Sequence, residues 1–154
     1  MNDNILVVYF SAGGNTARAA REIAGAVEGH IREIVPAMPY SAADLDWTDR
    51  TSRTSREMND ASCRPQTASE IDISSYDTIF LGFPIWWYTE PRIIDTFLEE
   101  QDFSGKIVIP FATSGGSGIS GAENRMIKIC PDAKWQKGAI VNTGAAAWAK
   151  RAIK

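Results

Sequence analysis

Short apolar segments recur along the chain. Four are nearly continuous runs of β-branched and aromatic residues: residues 5–10, 31–35, 78–83 and 107–111. A fifth and weaker segment covers residues 139–141. Uninterrupted apolar runs of this length are typical of strands that are covered on both faces, as in a parallel sheet. The pattern therefore predicts five buried parallel strands.

Helical spacing of apolar residues fills most of the gaps between these segments. Each of four stretches predicts a helix with one buried face: residues 20–27, 93–98, 122–129 and 145–153. We expect Gly29 to close the first helix, Pro91 to lie in the first turn of the second, and Pro131 to stop the third. Because strand and helix alternate, the chain is predicted to adopt an α/β fold.

One stretch, residues 36–76, departs from this alternation. It is rich in Ser, Thr, Asp and Arg, and its one candidate helix, at residues 52–60, is weakly patterned. We expect a long connection with one short helix, and we expect Tyr40 and Trp47 to pack this connection against the rest of the domain. Connections of this length in compact domains are usually functional or mobile. No internal repeat or boundary is visible, so we predict a single domain over residues 1–154.

The composition is ordinary for a globular domain and argues against several classes of partner. Of 154 residues, 44% are hydrophobic, and 16 Lys and Arg against 19 Asp and Glu give a net charge of −3. Without a basic block the chain is a poor candidate for nucleic-acid binding. No apolar stretch approaches the length of a membrane span. Residues 1–4 carry no basic segment of a signal peptide, so we expect a cytoplasmic protein.

Residues that could carry metal or catalytic chemistry are sparse. Cys63 and Cys130 lie far apart and His30 is the single histidine, which argues against a zinc site or a disulfide framework. We expect His30 and Cys130 to be structural, and Glu90 and Asp95 to be charges at the start of a helix. No Ser-His-Asp or paired-carboxylate constellation can be assembled, so any redox chemistry would belong to a bound cofactor.

Ligands of an open parallel sheet bind beyond the carboxyl ends of its strands, and the first loop there is rich in glycine. It runs from Ser11 through Gly13, Gly14 and Asn15 to Thr16. Glycines let the backbone fold around an anion, and the amides of a helix N-terminus favour negative charge. The loop lacks the lysine of a Walker P-loop, so we expect neutral donors to hold a phosphate monoester. The alternative is a glycine-rich turn with a helix cap.

Two further loops follow predicted strands. The second, residues 82–90, contains the consecutive aromatics Trp86, Trp87 and Tyr88. Adjacent side chains of this size cannot all face one core, so at least one would be exposed or cover a flat ligand. The alternative is that one tryptophan packs inward and the other lies on the surface. The third loop, residues 113–118, consists of hydroxyl residues and glycines, which let the backbone approach a ligand closely.

Together the three loops predict a site for a phosphorylated planar heterocycle. Residues 7–23, VVYFSAGGNTARAAREI, resemble the signature with which flavodoxins bind the phosphate of FMN. Residues 82–87, GFPIWW, and 110–118, PFATSGGSG, are similar to the second and third flavin loops of a bacterial flavodoxin-like branch. The resemblance to the flavodoxin family extends from residue 4 to residue 141 and is loosest over residues 36–76.

The resemblance implies a three-layer fold around an open parallel five-stranded sheet in the order 2-1-3-4-5, with non-covalent FMN as the cofactor. It implies that the phosphate is held by Ser11, Gly13, Gly14, Asn15 and Thr16. The residues along the isoalloxazine ring would be Pro84, Ile85, Trp86 and Trp87. The other side of the ring would be bordered by Thr113, Ser114, Gly115, Gly116, Ser117 and Gly118. We expect Trp86 to lie nearer the ring than Trp87.

Three features depart from the family pattern. The third loop lacks the aromatic residue that often stacks on the flavin in electron-transfer flavodoxins, and the chain is less acidic than those proteins commonly are. In the family, the turn beside the flavin needs a residue at positive φ, usually glycine. Residues 83–90 contain no glycine, so Trp87 or Tyr88 would have to take that conformation.

The fold alone does not decide the function. An electron carrier between redox partner proteins would have an acidic docking face and no nicotinamide pocket. An NAD(P)H-dependent reductase of quinones or similar small acceptors would leave an open face of the ring. A binder of a phosphorylated ligand other than flavin would give the aromatic loop no purpose. We favour the electron carrier.

Overall fold

The computed structural model describes residues 3–153 and confirms the α/β fold. Its elements, in chain order, are β1 (Ile5–Tyr9), α1 (Asn15–Val27), β2 (His30–Glu33), α2 (Arg53–Met58), β3 (Thr78–Pro84), α3 (Arg92–Glu100), β4 (Ile107–Thr113), α4 (Ser120–Ile129), β5 (Lys134–Trp135), β6 (Ala139–Ile140) and α5 (Ala145–Ala152). The domain prediction covers residues 1–154, of which 1, 2 and 154 lie outside the described residues.

The strands form a parallel sheet in the order β2-β1-β3-β4-β5, and β6 also pairs with β4. The predicted order 2-1-3-4-5 is confirmed. The order reverses between β1 and β3, since the chain moves outward to β2 on one side of β1 and to β4 beyond β3. Ligand crevices of open α/β sheets lie beyond the carboxyl ends of the strands at such a reversal.

Helices cover both faces of the sheet. On one face, Leu6 and Val8 of β1 pack in a buried cluster with residues of α3 and α4. On the other face, Ile5 and Val7 pack with residues of α1 and α5. Because both faces are buried, most positions of a central strand carry apolar side chains, which explains the nearly continuous apolar runs.

The edge strand differs from the prediction, because it is split into β5 and β6 opposite Pro110 of β4. The amide of Gln136 donates to Val108 O at 2.9 Å and that of Val141 to Ala112 O at 2.8 Å, so alternate residues of β4 face this edge. Pro110 lies between them and has no N–H to donate. The ladder is interrupted there, and the amide of Gly138 donates instead to Glu123 Oε2 at 2.7 Å.

The end of α1 also differs in detail. The residue in the left-handed conformation is Glu28, with φ 55°, so Gly29 does not close the helix by its own backbone angle. Glycine is favoured at position 29 by packing, since a Cβ there would lie 3.0 Å from Ile5 O, a tight contact. β2 begins at His30, one residue earlier than predicted, and its pairing with β1 continues through the amide of Ile34, which donates to Tyr9 O at 2.7 Å.

The long connection contains the single short helix α2, inside the predicted range. Its first turn is capped by Ser52, whose Oγ accepts from the amide of Ser55 at 3.3 Å. Tyr40 packs against the core as expected. Trp47 does not, since 73% of its surface is exposed, and its predicted packing role is wrong.

The single histidine lies away from the carboxyl edge of the sheet. His30 is at the amino end of β2, where its Nδ1 shares a 2.8 Å hydrogen bond with Tyr76 Oη. Cys130 is buried and Cys63 half-buried, and both are free thiols. Within residues 3–153, no helix is long and apolar enough to cross a membrane.

Candidate functional site

Two adjoining cavities open at the carboxyl edge of the sheet, where β1, β3 and β4 end. The larger measures about 600 Å³ and the smaller about 420 Å³, within the usual range for ligand sites. Both cavities are lined by Ile85, Trp86, Ser114 and Gly115. The two cavities therefore form one elongated site.

The first loop is preorganised at one end of this site. Ser11 Oγ accepts hydrogen bonds from the amides of Gly14 at 3.1 Å and Ala17 at 3.2 Å. Gly14 caps α1 at φ 92°, a conformation that side chains disfavour. The first helical amides, at Asn15 and Thr16, have no partner within the helix. They are donors available to an anion.

Thr16 connects the first loop to the third. It is buried, and its hydroxyl shares a 2.8 Å hydrogen bond with the hydroxyl of Thr113 at the end of β4. One of the two hydroxyl protons makes this bond, so the other remains free to be donated. The pair therefore fixes the distance between the two loops and can still donate to a ligand.

The second loop forms a tight two-residue turn between Trp86 and Thr89. The amide of each donates to the carbonyl oxygen of the other at 3.0 Å. Both central residues have positive φ, 47° at Trp87 and 69° at Tyr88, as a type I′ turn requires. We call residues 86–89 the aromatic turn. The prediction that Trp87 or Tyr88 takes positive φ is confirmed, and both do.

The two tryptophans of the aromatic turn have different surroundings. Trp86 lies edge-on to Phe10 and to Tyr40, with ring centroids 5.6 Å apart in each pair. Trp87 is 40% exposed and its neighbour Tyr88 is 72% exposed. Both tryptophans line the larger cavity, and Trp86 also lines the smaller one. Trp86 therefore forms a fixed wall of the elongated site, and Trp87 lies at the solvent-exposed mouth of the larger cavity.

The third loop is held by its own hydroxyls and by Asn142. Ser114 Oγ accepts from the amides of Gly116 at 3.2 Å and Ser117 at 2.8 Å. The side chain of Asn142 accepts from the amide of Ser114 at 2.9 Å and donates to its carbonyl oxygen at 2.7 Å. The loop is therefore ordered by hydrogen bonds, although it is rich in glycine.

The smaller cavity has a cationic end. It is lined there by Asn15, Arg18 and Asn142. The guanidinium of Arg18 donates to Asn142 O and to Glu22 Oε2, both at 3.0 Å. The lining of the larger cavity contains no charged residue among those described. One end of the site is therefore suited to an anion and the other to an uncharged ring.

Asp95 lies in the first turn of α3, as expected, and Glu90 precedes the helix, but both carboxyls are fully buried behind the aromatic turn. Arg125 of α4 bridges them, with Nε 3.2 Å from Glu90 Oε2 and Nη2 2.8 Å from Asp95 Oδ2. The remaining oxygens, Glu90 Oε1 and Asp95 Oδ1, have no hydrogen-bond partner in the described structure. Burial, and then the adjacent Asp95 carboxyl, raise the pKa of Glu90 to about 9.

Most of the predicted site residues line the two cavities. These are Asn15, Pro84, Ile85, Trp86, Trp87, Thr113, Ser114, Gly115, Gly116 and Ser117. The others shape the adjoining loops without lining a cavity: Ser11, Gly13, Gly14, Thr16 and Gly118.

Six lining residues were not among the predicted site residues, and one of them is Tyr88 of the aromatic turn. Two of them, Arg18 and Asn142, lie at the cationic end, and Leu45, Trp47 and Thr54 of the long connection lie at the other. The position of Arg18 could have been predicted from the sequence, because it lies one turn into the helix that follows the first loop. That of Asn142 could not, since its role depends on β6 ending beside the third loop.

The sheet is doubly wound, and the elongated site lies at its switch point, with one end suited to an anion and the other to an uncharged ring. This arrangement is typical of nucleotide-binding α/β proteins. The family model for flavodoxin matches residues 4–152, so this chain belongs to the flavodoxin family. The fold and family predictions are thereby confirmed. No curated protein matches the chain in a sequence comparison.

Two solved structures are similar over almost the whole chain. A candidate flavoprotein from Bacteroides uniformis is 51% identical, with 99% of each chain covered and a TM-score of 0.93. One from Bacteroides eggerthii is 46% identical over 99% of this chain and 96% of the other, with a TM-score of 0.94. A flavoprotein from Lactobacillus acidophilus in complex with FMN shares the fold at 20% identity, with 96% and 99% covered and a TM-score of 0.76.

Proposed function

We propose that this protein binds one FMN in the elongated site and carries electrons between redox partner proteins. The observation that carries the proposal is the polarity of the site. Arg18 and the first amides of α1 lie at one end, and the uncharged cavity beside the aromatic turn lies at the other. A phosphate at the first end and an isoalloxazine ring at the second match this arrangement.

The residues present fit FMN. The amides of Asn15 and Thr16, with the hydroxyl of Thr16, would hold the phosphate, and Trp86 and the third loop would flank the ring. A Cβ at Gly13 or Gly14 would meet no atom within 4 Å, so the first loop is open on that side. When bound, the flavin supplies the redox chemistry, and the chain holds and shields it.

The lining of the larger cavity favours the carrier over the reductase. A nicotinamide dinucleotide must place a diphosphate near the ring site, and no charged side chain of residues 3–153 lines that cavity. The cationic group of the neighbouring cavity, Arg18, belongs to the end assigned to the FMN phosphate. The exposed rings of Trp87 and Tyr88 at the mouth instead provide apolar contact area for a partner protein.

Cofactor identity and stoichiometry test the first half of the proposal. The purified protein should bind FMN at 1:1, and heat-released cofactor should be FMN. FAD is disfavoured because the first loop is suited to one terminal phosphate. Titration of apoprotein with FMN, followed by quenching of flavin fluorescence, measures both quantities. Failure of the apoprotein to bind FMN, or recovery of FAD from it, would contradict the proposal.

Electron transfer tests the second half. Anaerobic addition of NADPH or NADH to the FMN-loaded protein should not bleach the flavin within minutes. The dithionite-reduced protein should reduce a protein acceptor such as cytochrome c. Rapid bleaching by either nicotinamide would assign the chain to the reductases instead.

Thr16→Ala should weaken FMN more than riboflavin, by about ten- to a hundredfold. The variant loses both the free hydroxyl proton and the bond to Thr113, and a hydrogen bond to a charged group contributes roughly 1.5–3 kcal/mol. Thr16→Ser keeps the hydroxyl and should bind both flavins almost normally. An equal loss for both flavins in Thr16→Ala would place the hydroxyl away from the phosphate.

A further inference from the structure

The long connection contributes a wall to the larger cavity. Its residues Leu45, Trp47 and Thr54 line this cavity, and the site described above gives none of the three a role. Trp47 is 73% exposed, and its side chain makes no ring contact or hydrogen bond with residues 3–153. Large aromatic rings contribute most to binding and stability when they are buried against a flat apolar surface. An indole without a ring partner beside an uncharged cavity therefore suggests that a bound ligand covers it.

The backbone that carries Trp47 is ordered by short-range hydrogen bonds. The amide of Thr48 donates to Asp46 Oδ1 at 3.0 Å, and that of Thr51 donates to Asp49 Oδ1 at 2.8 Å. The amide of Thr54 donates to Asp44 O at 3.0 Å. Trp47 is thus held on a structured segment rather than on a free loop.

This segment is also joined to the aromatic turn through Tyr40. The guanidinium of Arg53 lies 3.8 Å from the centre of the Tyr40 ring and donates to Glu57 at 2.9 Å. The Tyr40 hydroxyl donates to the same carboxylate at 2.6 Å, and its ring lies edge-on to Trp86. The position of the connection is therefore coupled to Trp86, which forms a wall of the same cavity.

The third loop, residues 113–118, contains no aromatic side chain that could cover a bound ring. We propose that Trp47 supplies this cover, so that the connection between β2 and β3 forms part of the cofactor site and its indole packs on the isoalloxazine ring of FMN. The inference rests on the proposed binding of FMN. The lack of charge around Trp47 in the cavity matches the neutral ring rather than the phosphate.

Trp47→Ala and Trp47→Phe test the assignment, with Met38→Ala as the matched control. Met38 lies on the same connection, is equally exposed at 73%, and does not line the cavity. We expect Trp47→Ala to raise the Kd for FMN about three- to tenfold and the fluorescence of the bound flavin to increase. Trp47→Phe should recover most of the affinity, and Met38→Ala should match wild type.

A second probe separates ring contacts from phosphate contacts. Lumiflavin carries the ring without the phosphate, and its Kd should rise by the same factor in Trp47→Ala. An unchanged Kd and unchanged bound-flavin fluorescence in Trp47→Ala would overturn the inference and leave Trp47 as a surface for a partner. Failure of wild-type apoprotein to bind FMN would instead overturn the proposed function.

Discussion

Glu90→Gln should raise the free energy of unfolding at pH 8 by about 2–4 kcal/mol and leave it almost unchanged at pH 5. The carboxyl is fully buried, and burial with the neighbouring Asp95 raises the pKa of Glu90 to about 9. A proton on the Glu90 carboxyl can be shared with the neighbouring Asp95 carboxyl, which favours the protonated form. Glutamine presents an N–H in place of that proton.

The sign of the pH dependence follows from proton counting. In the unfolded chain Glu90 has its ordinary pKa of 4.5, and in the native state it keeps its proton up to about pH 9. Between these values the native state binds one more proton, so stability falls as pH rises, by about 1.4 kcal/mol per pH unit.

Asp95→Asn should behave differently, lowering stability by about 3–5 kcal/mol at pH 5 and by less at pH 8, because the Asp95 carboxyl contributes to the raised pKa of Glu90. Its carboxylate lies 2.8 Å from Arg125 and 3.9 Å from both Arg92 and Arg64. Among the described residues it is the one carboxylate within 4 Å of the buried Arg92 guanidinium, so its removal leaves that charge without an ion-pair partner. Asp72→Asn is the control, because Asp72 is exposed. Urea unfolding from pH 5 to pH 8 measures all three variants. Parallel pH profiles for wild type and Glu90→Gln would show that Glu90 is ionised in the native state.

The strands were predictable because their burial on both faces leaves a local trace in the sequence. Continuous apolar runs identified β1, β3 and β4, and the resemblance to the flavodoxin family implied their order. The interruption of the edge strand left no local trace. It depends on Pro110, which lies on the neighbouring strand about 25 residues earlier in the chain and faces the edge by its position in the register.

The candidate site shows the same division. The glycine and aromatic motifs of the three loops are local, and the residues they contain lie together at one edge of the sheet. The burial of Glu90 and Asp95 is not local, because the arginines around them come from the connection, from α3 and from α4. The exposure of Trp47 is likewise set by how Tyr40 and Arg53 anchor the connection, which apolar patterning does not report.

Gly121→Ala should loosen FMN by about tenfold or more and lower the free energy of unfolding by about 1–3 kcal/mol. A Cβ at position 121 would lie 2.5 Å from the carbonyl oxygen of Tyr88, so the aromatic turn or α4 must move. The turn is already strained, because Trp87 and Tyr88 at positive φ cost about 1–2 kcal/mol each. Such strain persists only where neighbouring contacts determine the conformation.

Gly25→Ala is the control, because Gly25 is inside α1 and a Cβ there would meet no atom within 4 Å. It should raise stability by about 0.5–1 kcal/mol, as alanine favours helix over glycine. Flavin titration and urea unfolding measure both effects.

The variant Tyr88→Gly tests whether the new methyl group of Gly121→Ala acts by displacing the aromatic turn or by displacing α4. On its own it should stabilise the protein by about 1–2 kcal/mol, because glycine takes positive φ without strain. Combined with Gly121→Ala it should restore part of the lost stability, since a turn with glycine at position 88 can move its carbonyl away from the new methyl group. If the losses from Gly121→Ala are the same with tyrosine and with glycine at position 88, the methyl group acts by displacing α4. The aromatic turn would then not be the element that holds the ring.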